Sequence, residues 1–130
     1  MALYIGLMSG TSMDGIDAAL ADIDDSGRLR LVATHSHAWP PELQLLLRQL
    51  ALPGDNEIDR MGEADVRIGE LFAVAVHELL HKATITAEAV TAIGSHGQTI
   101  RHRPDAANPF TLQIGDPNRL AALTGITAAA

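Results

Sequence analysis

Hydrophobic and polar positions change their spacing three times along this chain, and each change marks a change of element. Ala2 to Met8 is an apolar, partly branched run of the kind a buried strand shows. It stops at Ser9-Gly10-Thr11-Ser12 and Asp14-Gly15, residues that favour turns. From Ile16 to Ile23 the spacing becomes two, with Ile16, Ala18, Leu20 and Asp22 on one face. Asp24-Asp25-Ser26-Gly27 predicts a hairpin turn, and Arg28 to Ala38 a third strand with Leu29, Leu31 and Ala33 on one side.

The period then lengthens. Pro40-Pro41 suits a helix start, where a missing N–H costs nothing, and Leu43, Leu46, Leu47 and Leu50 follow at helical spacing. Pro53-Gly54-Asp55 interrupts it. Asp55 or Asn56 is positioned to cap a long second helix reaching about Thr84, with Met61, Ile68, Phe72, Ala75, Leu79 and Ala83 on one face. Mixed structure returns with a short strand from Val90 to Ile93 that ends at Gly94. Two more short strands, Thr99 to His102 and Phe110 to Ile114, flank a proline-containing loop. Asp116 is placed to cap a helix from Pro117 to Leu123, stopped by Gly125, and Ile126 opens a further strand. The predicted order is an α/β layer architecture with a mixed sheet and flanking helices. A strand that begins so near residue 130 implies a sheet with an exposed edge or apolar patch.

Composition narrows the function. The 130 residues fit one domain, and 47% hydrophobic against 19% charged residues can build a core. Sixteen acidic and nine basic side chains leave a net charge of −7, opposite to what a nucleic-acid binder needs. The four aromatic residues, Tyr4, Trp39, Phe72 and Phe110, make no base-stacking platform. The absence of cysteine excludes disulfides, a thiolate nucleophile and a Cys-based zinc site. No apolar run is long enough to span a bilayer and no basic leader precedes one, so the expected location is the cytoplasm.

Three segments have the composition of binding loops. Gly10-Thr11-Ser12-Met13-Asp14-Gly15-Ile16-Asp17 joins two predicted strands. A tight turn rich in Gly and hydroxyl residues exposes successive N–H groups that hold phosphate oxygens, and Asp14 or Asp17 is suited to orient a hydrated Mg²⁺. An ordinary hairpin turn has the same composition. The segment is not a P-loop, because the single lysine is Lys82, and no helix follows it as a dinucleotide fingerprint requires. Gly94-Ser95-His96-Gly97-Gln98-Thr99 places polar side chains between small residues that admit a ligand. Ile114-Gly115-Asp116-Pro117-Asn118-Arg119 opens a helix. A strand-end turn and a helix cap are the structural alternatives for these two.

A competing signal is His77-Glu78-Leu79-Leu80-His81, which has the H-E-x-x-H spacing of zinc hydrolases. At 100° per residue His77 and His81 fall opposite Phe72, Ala75 and Leu79, alongside Glu63 and Glu70 on what reads as a solvated face. No further ligand follows at a useful spacing. His35 and His37 share a strand face, a spacing that suits a metal, but with no third ligand nearby in sequence they read as solvent-facing. His102, between Arg101 and Arg103, reads as loop solvation.

Taken together, Tyr4 to Asp17, Gly94 to Ile100 with Arg103-Pro104, Thr111 to Pro117 and Leu120 to Ile126 resemble the anhydro-N-acetylmuramic acid kinase family. That resemblance implies a ribonuclease H-like, actin-like ATPase lobe. Residues 1–130 would form the N-terminal ATP-phosphate-binding lobe of a two-lobed kinase with ATP and sugar in the cleft. It implies ATP and Mg²⁺ as cofactors. The phosphates would sit on Gly10, Thr11, Ser12, Met13, Asp14, Gly15, Ile16 and Asp17, with the metal on Asp14 and Asp17, directly or through water. The substrate would be the small amino sugar 1,6-anhydro-N-acetylmuramic acid, contacted by His96, Gln98 and Asp116. The product would be N-acetylmuramic acid 6-phosphate, formed in bacterial cell-wall recycling. The catalytic base is expected outside these residues, and a homodimer is the expected assembly of the longer enzyme. The rival expectations are a zinc-dependent hydrolase built on His77, Glu78 and His81, and a non-catalytic nucleotide-binding module.

Overall fold

The computed structural model describes residues 2–10 and 13–130. Its centre is β1 (Ala2–Ser9), where Leu3, Ile5, Leu7 and Ser9 alternate inward. β2 (Gly15–Ile23) pairs antiparallel with it from Ser9↔Ile16 to Ala2↔Ile23, and sends Ile16, Ala18 and Leu20 to the same side. β3 (Leu29–Ala38) continues the antiparallel order on the outer side of β2. It is an edge strand, which is why Leu29 and Leu31 remain exposed.

Two helices cover one face of this sheet. α1 (Pro41–Leu50) has proline in its first turn and buries Leu43, Leu47 and Leu50. α2 (Glu57–Ala83) buries Ala64, Ile68, Phe72, Ala75, Val76 and Leu79, the stripe its 3.6 period predicts. Phe72 is fully buried and stacks on Trp39 at 6.3 Å, a packing whose loss to alanine costs about 3–5 kcal/mol. Asn56 does occupy the N-cap of α2, but as a left-handed residue whose side chain makes no cap hydrogen bond.

One expectation is corrected. Val90–Ile93 and Thr99–His102 are not separate strands, because β4 runs unbroken from Val90 to Arg103. Gly94 pairs in the ladder with Gly6. Gly97 takes φ +78 inside a bulge, where Leu7↔Ser95 is followed by Ser9↔Gln98. Gly94 is held in extended pairing and Gly97 is absorbed as a bulge, because β4 has partners on both sides of these glycines. Its first half pairs parallel with β1 and with β6 (Ala128–Ala129), and its second half antiparallel with β5 (Phe110–Ile114). α3 (Pro117–Thr124) links β5 to β6 and packs on α2.

The opposite face of the sheet carries no helix among the described residues. It shows Gly6, Met8, Asp17, Gly94 and His96 to solvent, with Met8 51% exposed. No helix of the described residues is long and apolar enough to cross a membrane.

Candidate functional site

The turn after β1 is fixed by donors from three directions. Gly10 O accepts from Met13 N at 3.1 Å and from Gln98 Nε2 at 3.2 Å. Met13 O accepts from Gln44 Nε2 of α1 at 3.1 Å, and Asp14 O from Trp39 N at 3.4 Å. A trans peptide points its C=O and N–H in opposite directions. With Met13 O held by α1, the Asp14 N–H faces away from that helix. Met13 itself is buried at φ +55, and its amide is engaged within the turn, so it serves the bend rather than a ligand. Thr11 and Ser12 lie outside the described residues.

Gly10, Asp14, Gly15, Ile16 and Asp17 line one open cavity with Ser36, His37 and Ala38. Asp14 and Asp17 are both exposed there, and one Asp17 oxygen accepts from Ser36 Oγ at 2.9 Å. Gly15 is demanded by space, since a Cβ at that position would lie 2.5 Å from His37 O. Two carboxylates on one cavity wall are donors of the kind Mg²⁺ takes directly or through water. The residues present therefore fit that ion.

The second predicted segment meets the first at the end of β1, and the third packs against the second. Gln98 is fully buried. Its Oε1 accepts from Ser9 Oγ, and its amide nitrogen donates to Gly10 O and to Thr99 O at 3.0 Å. Both amide protons are thus engaged. The Gly97 bulge separates its neighbours. Gln98 turns to the covered side, while His96 sits exposed on the open face beside Gly6, Met8, Asp17 and Gly94. Gly97 abuts Ile114 O, where a Cβ would come within 2.5 Å, and a Cβ on Gly115 would lie 3.0 Å from the Ile68 side chain. Asp116 caps α3, accepting from Asn118 N at 2.9 Å and Arg119 N at 3.4 Å.

Sequence reasoning missed four supports: Ser9, Trp39, Gln44 and Asp65. Asp65 of α2 accepts from Gly115 N at 2.7 Å through Oδ1, and from Asp116 N at 3.1 Å through its carbonyl. Gln44 left one usable signal, a polar amide beside the buried Leu43 and Leu47.

The H-E-x-x-H reading is corrected by the same coordinates. His77 Nε2 meets Leu123 O at 3.2 Å, His81 is exposed, and Glu78 turns instead towards β3. Among the described residues His77 and His81 join no cluster of metal-ligating groups. The solvated face assigned to them is partly covered by α3, where Arg119 pairs with Glu70 at 3.1 Å.

Three antiparallel strands followed by parallel strands, in the order β3-β2-β1-β4 with β6 beyond, and a braced turn after β1, define a ribonuclease H-like, actin-like ATPase lobe. The model of one family, described as anhydro-N-acetylmuramic acid kinase, matches residues 2–130, and the chain belongs to that family. It is 55% identical over 127 residues to the curated anhydro-N-acetylmuramic acid kinase of Coxiella burnetii (strain RSA 493 / Nine Mile phase I), covering 98% of this chain and 33% of that protein. The enzyme of the same name from Shewanella sp. (strain ANA-3) is 56% identical over 125 residues, 96% of this chain and 34% of its own length. The chain therefore spans about a third of the length of the curated relatives it matches.

Proposed function

We propose that this chain is the ATP-phosphate-binding lobe of a kinase that acts on 1,6-anhydro-N-acetylmuramic acid in the cytoplasm, within bacterial cell-wall recycling. One observation carries the reading: the turn after β1 is braced through the carbonyls of Gly10, Met13 and Asp14, beside a cavity walled by Asp14 and Asp17. That arrangement suits the polyphosphate of a nucleotide.

In the proposed reaction the oxygen of water bonds to C1 of the sugar as the C1–O6 bridge breaks. O6 then bonds to the γ-phosphorus as its bond to the β-bridging oxygen breaks, and ADP leaves. The water proton passes to a carboxylate base, expected in the part of the relatives beyond this chain's match. Mg²⁺ bound to ATP would neutralise charge on the phosphate oxygens. Asp14 and Asp17 hold that ion, the turn positions the phosphates, and His96 and the free oxygen of Asp116 face the sugar. Gln98 acts indirectly, by keeping the turn in shape.

Titration of the ¹⁵N-labelled chain with MgATP tests the lobe. The expected result is saturable shifts centred on the segment from Gly10 to Asp17. Shifts centred elsewhere, or none, overturn it. Grafting residues 1–130 onto the remainder of the Coxiella burnetii relative tests the reaction: ATP-dependent formation of N-acetylmuramic acid 6-phosphate is expected. Nucleotide binding without turnover in that hybrid would favour the non-catalytic module.

A further inference from the structure

His35 and His37 stand two residues apart on β3, so their rings share a face. Ser36 between them points to the other face, where it meets Asp17. The histidine face lies against α2, and there Glu78 closes on both rings. Its Oε2 is 2.6 Å from His35 Nε2 and 3.3 Å from His37 Nδ1. One donor atom from each of the three side chains falls within 4.8 Å of the others. The two rings are mostly buried, at 21% and 23% side-chain exposure, whereas Glu78 is 49% exposed. His35 Nε2 is buried without a hydrogen-bond partner among the described residues, because its approach to Glu78 is close but misaligned.

We propose that His35, His37 and Glu78 form a binding centre for a first-row divalent cation of the zinc type, completed by water. Two imidazole nitrogens and one carboxylate oxygen are the donor set such ions prefer, and Mg²⁺ and Ca²⁺ do not. Ligands about 2.0–2.1 Å from a tetrahedral ion stand about 3.3 Å from one another. His37 and Glu78 already have that separation. The half-exposed Glu78 reaches it from His35 by a small rotation away, and its exposure gives the ion a route from solvent. An ion there satisfies the orphaned His35 nitrogen and ties the edge strand to α2. The same helix already grips that strand one turn later, through Lys82 Nζ and Thr34 O at 2.8 Å. The site uses neither Asp14 nor Asp17, although His37 also borders the cavity that those two line.

The test is titration of the untagged chain with Zn²⁺ by calorimetry and with Co²⁺ by visible absorption. One equivalent of each is expected, with intense Co²⁺ bands of low coordination number. His35→Gln, His37→Gln and Glu78→Gln should each weaken Zn²⁺ binding by about tenfold or more, in line with the usual loss when a metal site is altered. The double variant His77→Gln/His81→Gln should bind as the parent does. Should a single variant fail to fold, long-range ¹⁵N spectra of the parent decide: Zn²⁺ must move His35 Nε2 and His37 Nδ1 and leave His77, His81, His96 and His102 in place. Absence of saturable one-to-one binding overturns the proposal. So does binding that survives in the three single variants and disappears in the double one.

Discussion

Gln98 shows how one side chain is read differently by composition and by packing. Between glycines, a polar residue reads as a ligand contact. In the fold it is fully buried, and three hydrogen bonds join it to Ser9, Gly10 and Thr99. Gln98→Leu keeps the volume and leaves Ser9 Oγ and Gly10 O without those partners. Gly10 O keeps its bond from Met13 N, so the orphaned buried group is Ser9 Oγ, and a loss of about 1–3 kcal/mol is expected from urea unfolding. MgATP affinity should fall with it, because the turn loses a brace; unchanged stability would remove Gln98 from that role. The cause of the misreading is the bulge. A strict period of two places His96 and Gln98 on one face, and only the extra residue at Gly97 puts them on opposite sides. Pairing register of that kind is set against β1, which lies far from β4 in sequence. The Gly10–Asp17 segment was legible because its turn residues act locally, whereas its supports from Trp39, Gln44 and Gln98 are tertiary.

The helices were legible from their stripes because a 3.6 period directly reports which face is covered. β4 was not, since glycine propensity is local and ladder pairing is not. The same strand supplies an electrostatic link between elements. Arg101 Nη2 donates to Leu50 O at the end of α1 at 3.1 Å and to Glu57 Oε1 at the start of α2 at 2.6 Å. The Arg101 hydrogen bond holds the Glu57 carboxyl below its ordinary value of 4.5. Folding therefore favours ionised Glu57. The stabilisation is present above that ordinary value and is lost as pH falls through the lower folded one. Glu57→Gln removes this contribution. Unfolding free energies measured across the acid range should fall less steeply below pH 4.5 in the variant than in the parent. Asp24, also held below its ordinary value by its Ser26 and Arg28 contacts, is common to both proteins and cancels in the comparison. Parallel acid curves would show that the pair has no effect on stability.

At the scale of the molecule, charge decides how the proposed site takes a nucleotide. The chain carries a net charge of −7, and the cavity beside the turn is lined by Asp14 and Asp17 with no lysine or arginine. A polyphosphate brought there alone meets like charge. Each such pair at 4 Å costs about 1 kcal/mol in water and about 4 kcal/mol in the less polarisable surroundings of a protein surface. Mg²⁺ would reverse the sign, because a cation held by Asp14 and Asp17 attracts the phosphates. MgATP binding should therefore weaken by about tenfold or more when EDTA removes the metal, the equivalent of about 1.4 kcal/mol. Asp17→Asn should act in opposite directions in the two conditions, weakening MgATP and strengthening metal-free ATP. A general loss of fold cannot produce that reversal. Fluorescence or calorimetric titrations of both proteins, with and without EDTA, read it directly. Equal ATP affinity in the two buffers would mean that the nucleotide does not sit between Asp14 and Asp17.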